Sequence, residues 1–310
     1  MMESLSLLDW SIRAISFFNT IALLWLGCTV LLNAERKTLG ALVVGGGLVL
    51  GGLFFAAHSA YVGGTFATYD AQSELWSRVG WLAFVSPPYL WYLVMAWYAG
   101  VSRSPGHTLA LVGLGVLGLA APAFRLVPLP LPIPALYAGY SGVCVGLALL
   151  ALYRPAASHR FMGERARRRA RPWLVVTSLV LFAASLAAAA GAALAVESVG
   201  RGQPFSSAPS AFKQLDLLVS ALLAASTVLM GRAIVSYEIF TGKTLPRGGL
   251  LRSWRNSLIL ASGFGMLAAW SLGLSTDPVY HLLLATGCMT LFYALLSWRS
   301  YAEHDQGMER

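Results

Sequence analysis

Charge is scarce in this chain. Asp, Glu, Lys and Arg together make up 11% of its 310 residues, where an ordinary soluble domain carries about 25%. So few charges cannot solvate a surface. The 57% of hydrophobic residues exceeds the roughly 45–50% of soluble proteins and adds to the deficit. That balance excludes an independently soluble domain, a disordered segment and a coiled coil. Cysteine is almost absent: Cys28, Cys144 and Cys288 stand far apart in apolar stretches and form no CxxC pair. A disulfide framework and a thiolate zinc site are excluded with them, and the three read as small packing residues. The sequence also lacks a P-loop, an HExxH, an Asp-rich prenyl-binding motif and a GxGxxG opening a helix. No enzyme active site is visible in its motifs.

What the chain has is long apolar runs. A membrane helix needs about 20 such residues to cross about 30 Å of hydrocarbon. Nine runs qualify: Ser11–Leu32, Leu39–Val62, Trp81–Val101, Thr108–Val127, Ala135–Tyr153, Trp173–Val196, Leu215–Val235, Ser257–Leu274 and Val279–Trp298. The first has neither a basic lead-in nor an A-x-A site, so it reads as a mature helix and not as a signal peptide. The expected fold is an all-α polytopic transmembrane bundle, one integral-membrane domain over 1–310 with no soluble domain. Charge then orients it. With the N-terminus outside, 17 of the 22 basic residues fall on the inner side, which totals +11 against −2 outside and sums to the net +9. The positive-inside rule therefore predicts a multi-pass protein of the bacterial plasma membrane, N-terminus out and C-terminus cytoplasmic.

The same asymmetry accounts for the basic run RFMGERARRRAR at Arg160–Arg171 without nucleic acid. It is expected to join the fifth and sixth spans on the cytoplasmic side. There Arg165, Arg167, Arg168, Arg169 and Arg171, with Arg247, Arg252 and Arg255, would meet anionic lipid headgroups or a protein partner. The glycines of the second and fourth spans and the run Ala187–Ala190 read as close-packing surfaces. Pro87 and Pro88 predict a kink in the third span. Trp91, Tyr92, Trp97 and Tyr98 read as interfacial anchors.

Ionisable side chains inside spans are the default functional candidates, because lipid does not solvate them. His58 lies towards the outer end of the second span and His281 at the outer start of the ninth, at nearly matching depths. Each reads first as an interfacial residue bonded to backbone or water. Together with Tyr61, Tyr89 and Tyr280 they would otherwise line an outward-facing pocket for a small apolar ligand. No cofactor is favoured, but paired imidazoles could hold a haem, pigment or quinone. His107, His159 and His304 fall in cytoplasmic segments, so a second bis-histidine site is excluded. Asp216 is the one acid that could approach the midplane, and Lys213, three residues earlier, is expected to pair with it along the helix. Gly139-Tyr140-Ser141-Gly142 matches the GxSG of rhomboid proteases, but lacks a partner histidine in glycine-rich surroundings.

The most distinctive stretch follows the seventh span: Ser236-Tyr237-Glu238-Ile239-Phe240-Thr241-Gly242-Lys243-Thr244-Leu245-Pro246-Arg247, then Trp254-Arg255. With nine spans and an inward C-terminus, it resembles the membrane-embedded N-terminal sensor region of bacterial multi-domain histidine kinases. That resemblance implies an input module sensing a ligand near the outer leaflet, with the tail Ser297–Arg310 leading towards a cytoplasmic signalling partner. These 310 residues contain no phosphoacceptor helix and no ATP-binding glycine boxes, so in that reading they are the input half alone or signal through a separate partner. The alternatives are an integral subunit of an electron-transfer or photosynthetic complex, using His58 and His281, and then a transporter.

The topology is tested by cysteine accessibility. Ser158→Cys is expected to label only from the cytoplasmic side and Ser207→Cys only from outside; labelling of both from one side would remove the nine-span arrangement.

Overall fold

The computed structural model describes residues 7–33, 39–62, 71–120, 133–155, 164–199, 210–237 and 247–271. Among them are eight helices and no strand: α1 (Leu7–Asn33), α2 (Leu39–Val62), α3 (Ala71–Tyr98), α4 (Pro105–Ala120), α5 (Ile133–Tyr153), α6 (Glu164–Val199), α7 (Ser210–Tyr237) and α8 (Arg247–Ser271). Four stretches are long and apolar enough to cross a membrane, at Leu7–Leu32, Pro134–Tyr153, Arg168–Leu194 and Ser210–Ile234. The run Val279–Trp298, expected as a ninth span, lies outside the described residues.

Six helices close a ring. α1 packs on α2, α2 on α3, α3 on α5, α5 on α6, α6 on α7, and α7 returns to α1. α8 lies against α1 and α7, and α4 against α3. Large apolar side chains face outwards, among them Leu50, Leu109, Val116, Val143, Leu179 and Trp270. A soluble protein would hide such surface, and lipid is the solvent that suits it. This is a membrane protein.

Because hydrocarbon solvates Leu as well as another helix does, association relies on close approach and internal hydrogen bonds. Glycine supplies the approach where α1 meets its neighbours. A Cβ on Gly265 of α8 would stand 2.6 Å from the Ala14 carbonyl oxygen, and one on Gly27 would stand 2.9 Å from that of Gly45 on α2. Gly231 admits the Trp254 ring and Gly40 the Trp97 ring. Gly46 faces open space, so the glycine run of α2 is only partly a packing surface.

Local chemistry sets the α3–α4 corner. Val101 N–H donates to the Ala96 carbonyl and Gly100 N–H to that of Trp97, while Gly100 takes φ 72°. This is the Schellman closure, which needs a residue without Cβ. Pro105 then opens α4, where its missing N–H costs nothing.

Three expectations are corrected. α3 begins at Ala71, ten residues before the expected Trp81, because the helix also takes in the mixed polar stretch Ala71–Gly80 ahead of the apolar run. α6 begins at Glu164, so Arg165, Arg167, Arg168, Arg169 and Arg171 are helical and not part of a connecting loop. At 36 residues and about 1.5 Å per residue it outruns the hydrocarbon, and its basic turns project beyond. Arg168 and Arg169 are exposed, while the Arg171 guanidinium lies 4.2 Å from the centre of the Tyr153 ring. The aromatics of α3 are core and not anchors: Trp91, Tyr92 and Tyr98 are all buried. The Trp91 indole donates to Ser178 Oγ at 2.9 Å, and Tyr92 Oη lies 2.7 Å from His107 Nδ1. A Trp or Tyr whose polar atom finds a partner gains more from the interior than from the interface. α3 itself runs unbroken through Pro87 and Pro88. α7 ends at Tyr237 and α8 opens at Arg247; residues 238–246 between them, with Gly242 and Pro246, lie outside the described residues.

Gly265→Ala should lower stability by about 1–3 kcal/mol, the usual range for overpacking, because backbone cannot move aside as a side chain can. Gly46→Ala should be neutral or slightly stabilising. Thermal unfolding of the purified protein in detergent compares the two; equal effects would contradict the α1–α8 contact.

Candidate functional site

One end of the bundle holds a polar seam built by α1, α2 and α7. On α1, Asp9, Arg13, Ser16 and Thr20 recur every three or four residues and so share one face. On α7, Lys213, Asp216 and Ser220 do the same. α2 brings His58 from its last turns. From Asp9 to Asn19 is ten residues, or about 15 Å of helix, which is half the depth of the hydrocarbon.

The first link is an ion pair. Lys213 Nζ stands 2.9 Å from Asp9 Oδ1. Asp9 occupies the first turn of α1, where a negative charge suits the helix dipole. Lys213 occupies the first turn of α7, where a positive charge does not, and Asp9 offsets that mismatch. The second link joins three helices. His58 Nε2 lies 3.2 Å from Asp216 Oδ1, and His58 Nδ1 lies 3.1 Å from Ser16 Oγ. A carboxylate can only accept, so a neutral imidazole carries its proton on Nε2 and donates it to Asp216, while Nδ1 accepts from the Ser16 hydroxyl. A protonated imidazole would donate to both, since the hydroxyl can also accept. The third link is deepest: the fully buried Asn19 donates Nδ2 to the Ser220 carbonyl at 3.0 Å. Phe54 and Phe55 stand against the His58 ring, with centroids 6.1 and 6.2 Å away.

The expected local pair between Lys213 and Asp216 gives way to these cross-helix pairs. Along one helix the two would have shared a partly wet boundary; across the seam each meets an opposite or hydrogen-bonding group in a drier place. His58 is thus held by side chains, not by backbone or water alone. Of the other expected pocket residues, Tyr89 turns towards α4, where a Cβ on Gly115 would meet its hydroxyl at 2.9 Å. Tyr61 belongs to α2, but its side chain lies outside the description, as do Tyr280 and His281 entirely. A site shared by His58 and His281 is therefore outside the described residues. Both nitrogens of His58 are already engaged, so ligating an iron or a pigment metal would sacrifice one of these bonds. Among the described residues no three His, Cys, Asp or Glu side chains gather to hold a metal.

Ser16, His58 and Asp216 have the connectivity of a hydrolase triad, but their surroundings do not suit it. Ser16 is fully buried inside a helix, where backbone N–H groups are already committed and cannot form an oxyanion hole. Ser141 of the GxSG string is likewise fully buried in α5.

At the opposite end lie the basic residues. Arg252 and Arg255 are exposed in the first turns of α8, whose first residue is Arg247. Arg232 of α7 sits 4.5 Å over the Trp173 ring of α6.

Sequence reasoning found His58, Asp216 and Lys213, but missed Asp9, Arg13, Ser16 and Asn19. Their i, i+4, i+7 spacing within an apolar span was the available signal. Comparison with known proteins adds no relative: no family model, no curated protein and no solved structure matches this chain.

Charge reversal tests the first link. Asp9→Lys and Lys213→Asp should each destabilise the protein, and the double exchange should recover most of the loss. A local Lys213–Asp216 pair would instead leave the double exchange no better than the worse single change.

Proposed function

We propose that this chain is a signal-input protein of the bacterial plasma membrane, in which the α1–α2–α7 seam registers a small ligand from outside. The observation supporting this reading is the His58–Asp216 contact, a half-buried ionisable pair joining two helices at the end of the bundle expected to face out. Ionisable groups are kept within a membrane where they serve a site. Here the pair also sits on a helix that can relay its state.

α7 is that relay. Its outer turns carry Lys213, Asp216 and Ser220, and its other end carries Gly231 and Arg232 against Trp254 and Trp173. A single helix of 28 residues, about 42 Å long at 1.5 Å per residue, moves largely as a rod. A change in its outer partners therefore biases its inner packing. In this reading the chain crosses nine times, with residues 279–298 as the last crossing, the N-terminus outside and the C-terminus in the cytoplasm. The basic turns of α6 and α8 then lie on anionic headgroups and beside a cytoplasmic signalling partner, as the likeness to sensor-kinase membrane regions implies. A coupled transporter would ask for acidic groups beyond Asn19 on the inner half of the pathway, and the polar residues of α7 there are Ser226, Thr227, Ser236 and Arg232, the last placed over the Trp173 ring.

Spin labels at Tyr153→Cys on α5 and Ser236→Cys on α7, with the native cysteines replaced by alanine, report the inner end. Asp216→Leu, made at the other end, is expected to shift that distance by about 1–2 Å or more, the scale of interfacial helix shifts. An unchanged distance distribution would contradict transmission through α7.

A further inference from the structure

Three buried side-chain atoms of the seam have no hydrogen-bond partner in the protein: Arg13 Nε, Asn19 Oδ1 and Asp216 Oδ2. The Asn19 amide cannot simply turn over, because the Ser220 carbonyl requires its NH2 group. Asp216 commits its other oxygen to His58. One atom is thus a donor without an acceptor, and two are acceptors without donors. All belong to the two helices that the Asp9–Lys213 pair already clamps. Buried polar atoms are nearly always satisfied, so three exceptions in one seam describe the complement of a ligand.

We propose that the seam between α1 and α7 binds a small zwitterion of the amino-acid type. Its carboxylate meets the Arg13 guanidinium, and its ammonium is shared by Asp216 Oδ2 and Asn19 Oδ1. Charge selects this class. Asp9, Arg13, Lys213 and Asp216 contribute two charges of each sign, so a neutral molecule with separated charges leaves the balance intact. A simple anion would satisfy Arg13 but bring no donor to the two acceptors. A simple cation would satisfy the acceptors but bring no acceptor to Arg13 Nε and face both Arg13 and Lys213. Position sets the orientation. Arg13 stands nearly two turns outward of Asn19, and Asp216, tied through His58 to Ser16, lies between those levels. The carboxylate therefore points to the outer boundary and the ammonium inward. Planar guanidinium donors match a carboxylate, and an ammonium with three donors can serve both acceptors at once.

The proposal rests on the seam's being the input site and names what it takes. Glycine is the smallest probe carrying both groups, and acetate and methylamine are its two halves. Equilibrium dialysis of radiolabelled glycine against the protein in lipid nanodiscs should show saturable binding up to millimolar concentrations. Acetate and methylamine should each compete at least about tenfold more weakly than unlabelled glycine, a difference readily resolved. Arg13→Gln and Asp216→Asn should each weaken glycine by about tenfold or more while the protein stays helical and monodisperse; Arg13→Lys, which keeps the charge without the fork, should fall between. Competition by acetate as strong as by glycine would make this an anion site, and equal competition by methylamine a cation site. Either result, or no saturable glycine binding, overturns the proposal. If glycine fails while Asp216→Leu still moves the inner end of α7, the ligand class is wrong and the input reading stands. If that movement is also absent, the input reading itself is wrong.

Discussion

Lipid gives a polar side chain no partner, so every charged group carried into the bundle must find its counterpart on another helix. In this protein that requirement falls on α1, α2 and α7. Asp9 meets Lys213 at 2.9 Å, His58 meets Asp216 and Ser16 at 3.2 and 3.1 Å, and Asn19 meets the Ser220 carbonyl at 3.0 Å. Moving any of the three helices would strand at least one of these groups. Among the described residues, the other polar links are more scattered around the ring. The remaining contacts are apolar side chains, glycine clefts and single hydrogen bonds such as Trp91 to Ser178, which tolerate small shifts.

Such a division is what the proposed input role would use. A seam of ionisable groups is selective about geometry because an unpaired member is costly in a low dielectric. The apolar remainder can follow it. α7 belongs to both parts, since its first turns are in the seam and its last turns pack Gly231 under Trp254 and Arg232 over Trp173. α1 is the other common element, held to α8 by the backbone approach at Gly265. The Trp25–Trp254 contact, with centroids 5.2 Å apart, ties α1 and α8 further along. A rearrangement of the seam thus has two routes towards the basic end.

Membrane class and helical architecture were legible in the sequence because lipid imposes them residue by residue. Apolar run length placed at least one end of each of the eight described helices within three residues; the break expected before Gly242 and Pro246 falls in residues 238–246, outside the described residues. The misplaced starts of α3 at Ala71, of α6 at Glu164 and of α8 at Arg247, ten residues before the expected Ser257, have one cause: polar turns can extend a helix beyond the apolar run, and hydropathy does not see them. His58 and Asp216 stood out as rare ionisable residues. Their pairing did not, because it depends on which helices are neighbours, and the loops do not encode that. Asp9 and Arg13 went unremarked for the same reason; only the packing of α1 on α7 gives them their role. The α3 aromatics show the converse. Trp91 and Tyr92 resemble anchors until Ser178 and His107 are found beside them.

The account depends most on the bond between His58 and Asp216, and a double-mutant cycle measures it directly. His58→Leu, Asp216→Leu and the double change are compared by reversible unfolding in lipid–detergent mixtures. Each single change takes from a half-buried polar group its charged or hydrogen-bonding partner and should be destabilising, whereas the double removes both. The predicted coupling is above about 1 kcal/mol, within the range for contacting polar pairs, with the double variant more stable than the sum of the singles. Additivity within about 0.5 kcal/mol would show that the two residues do not meet, and the seam that organises this structure would not exist.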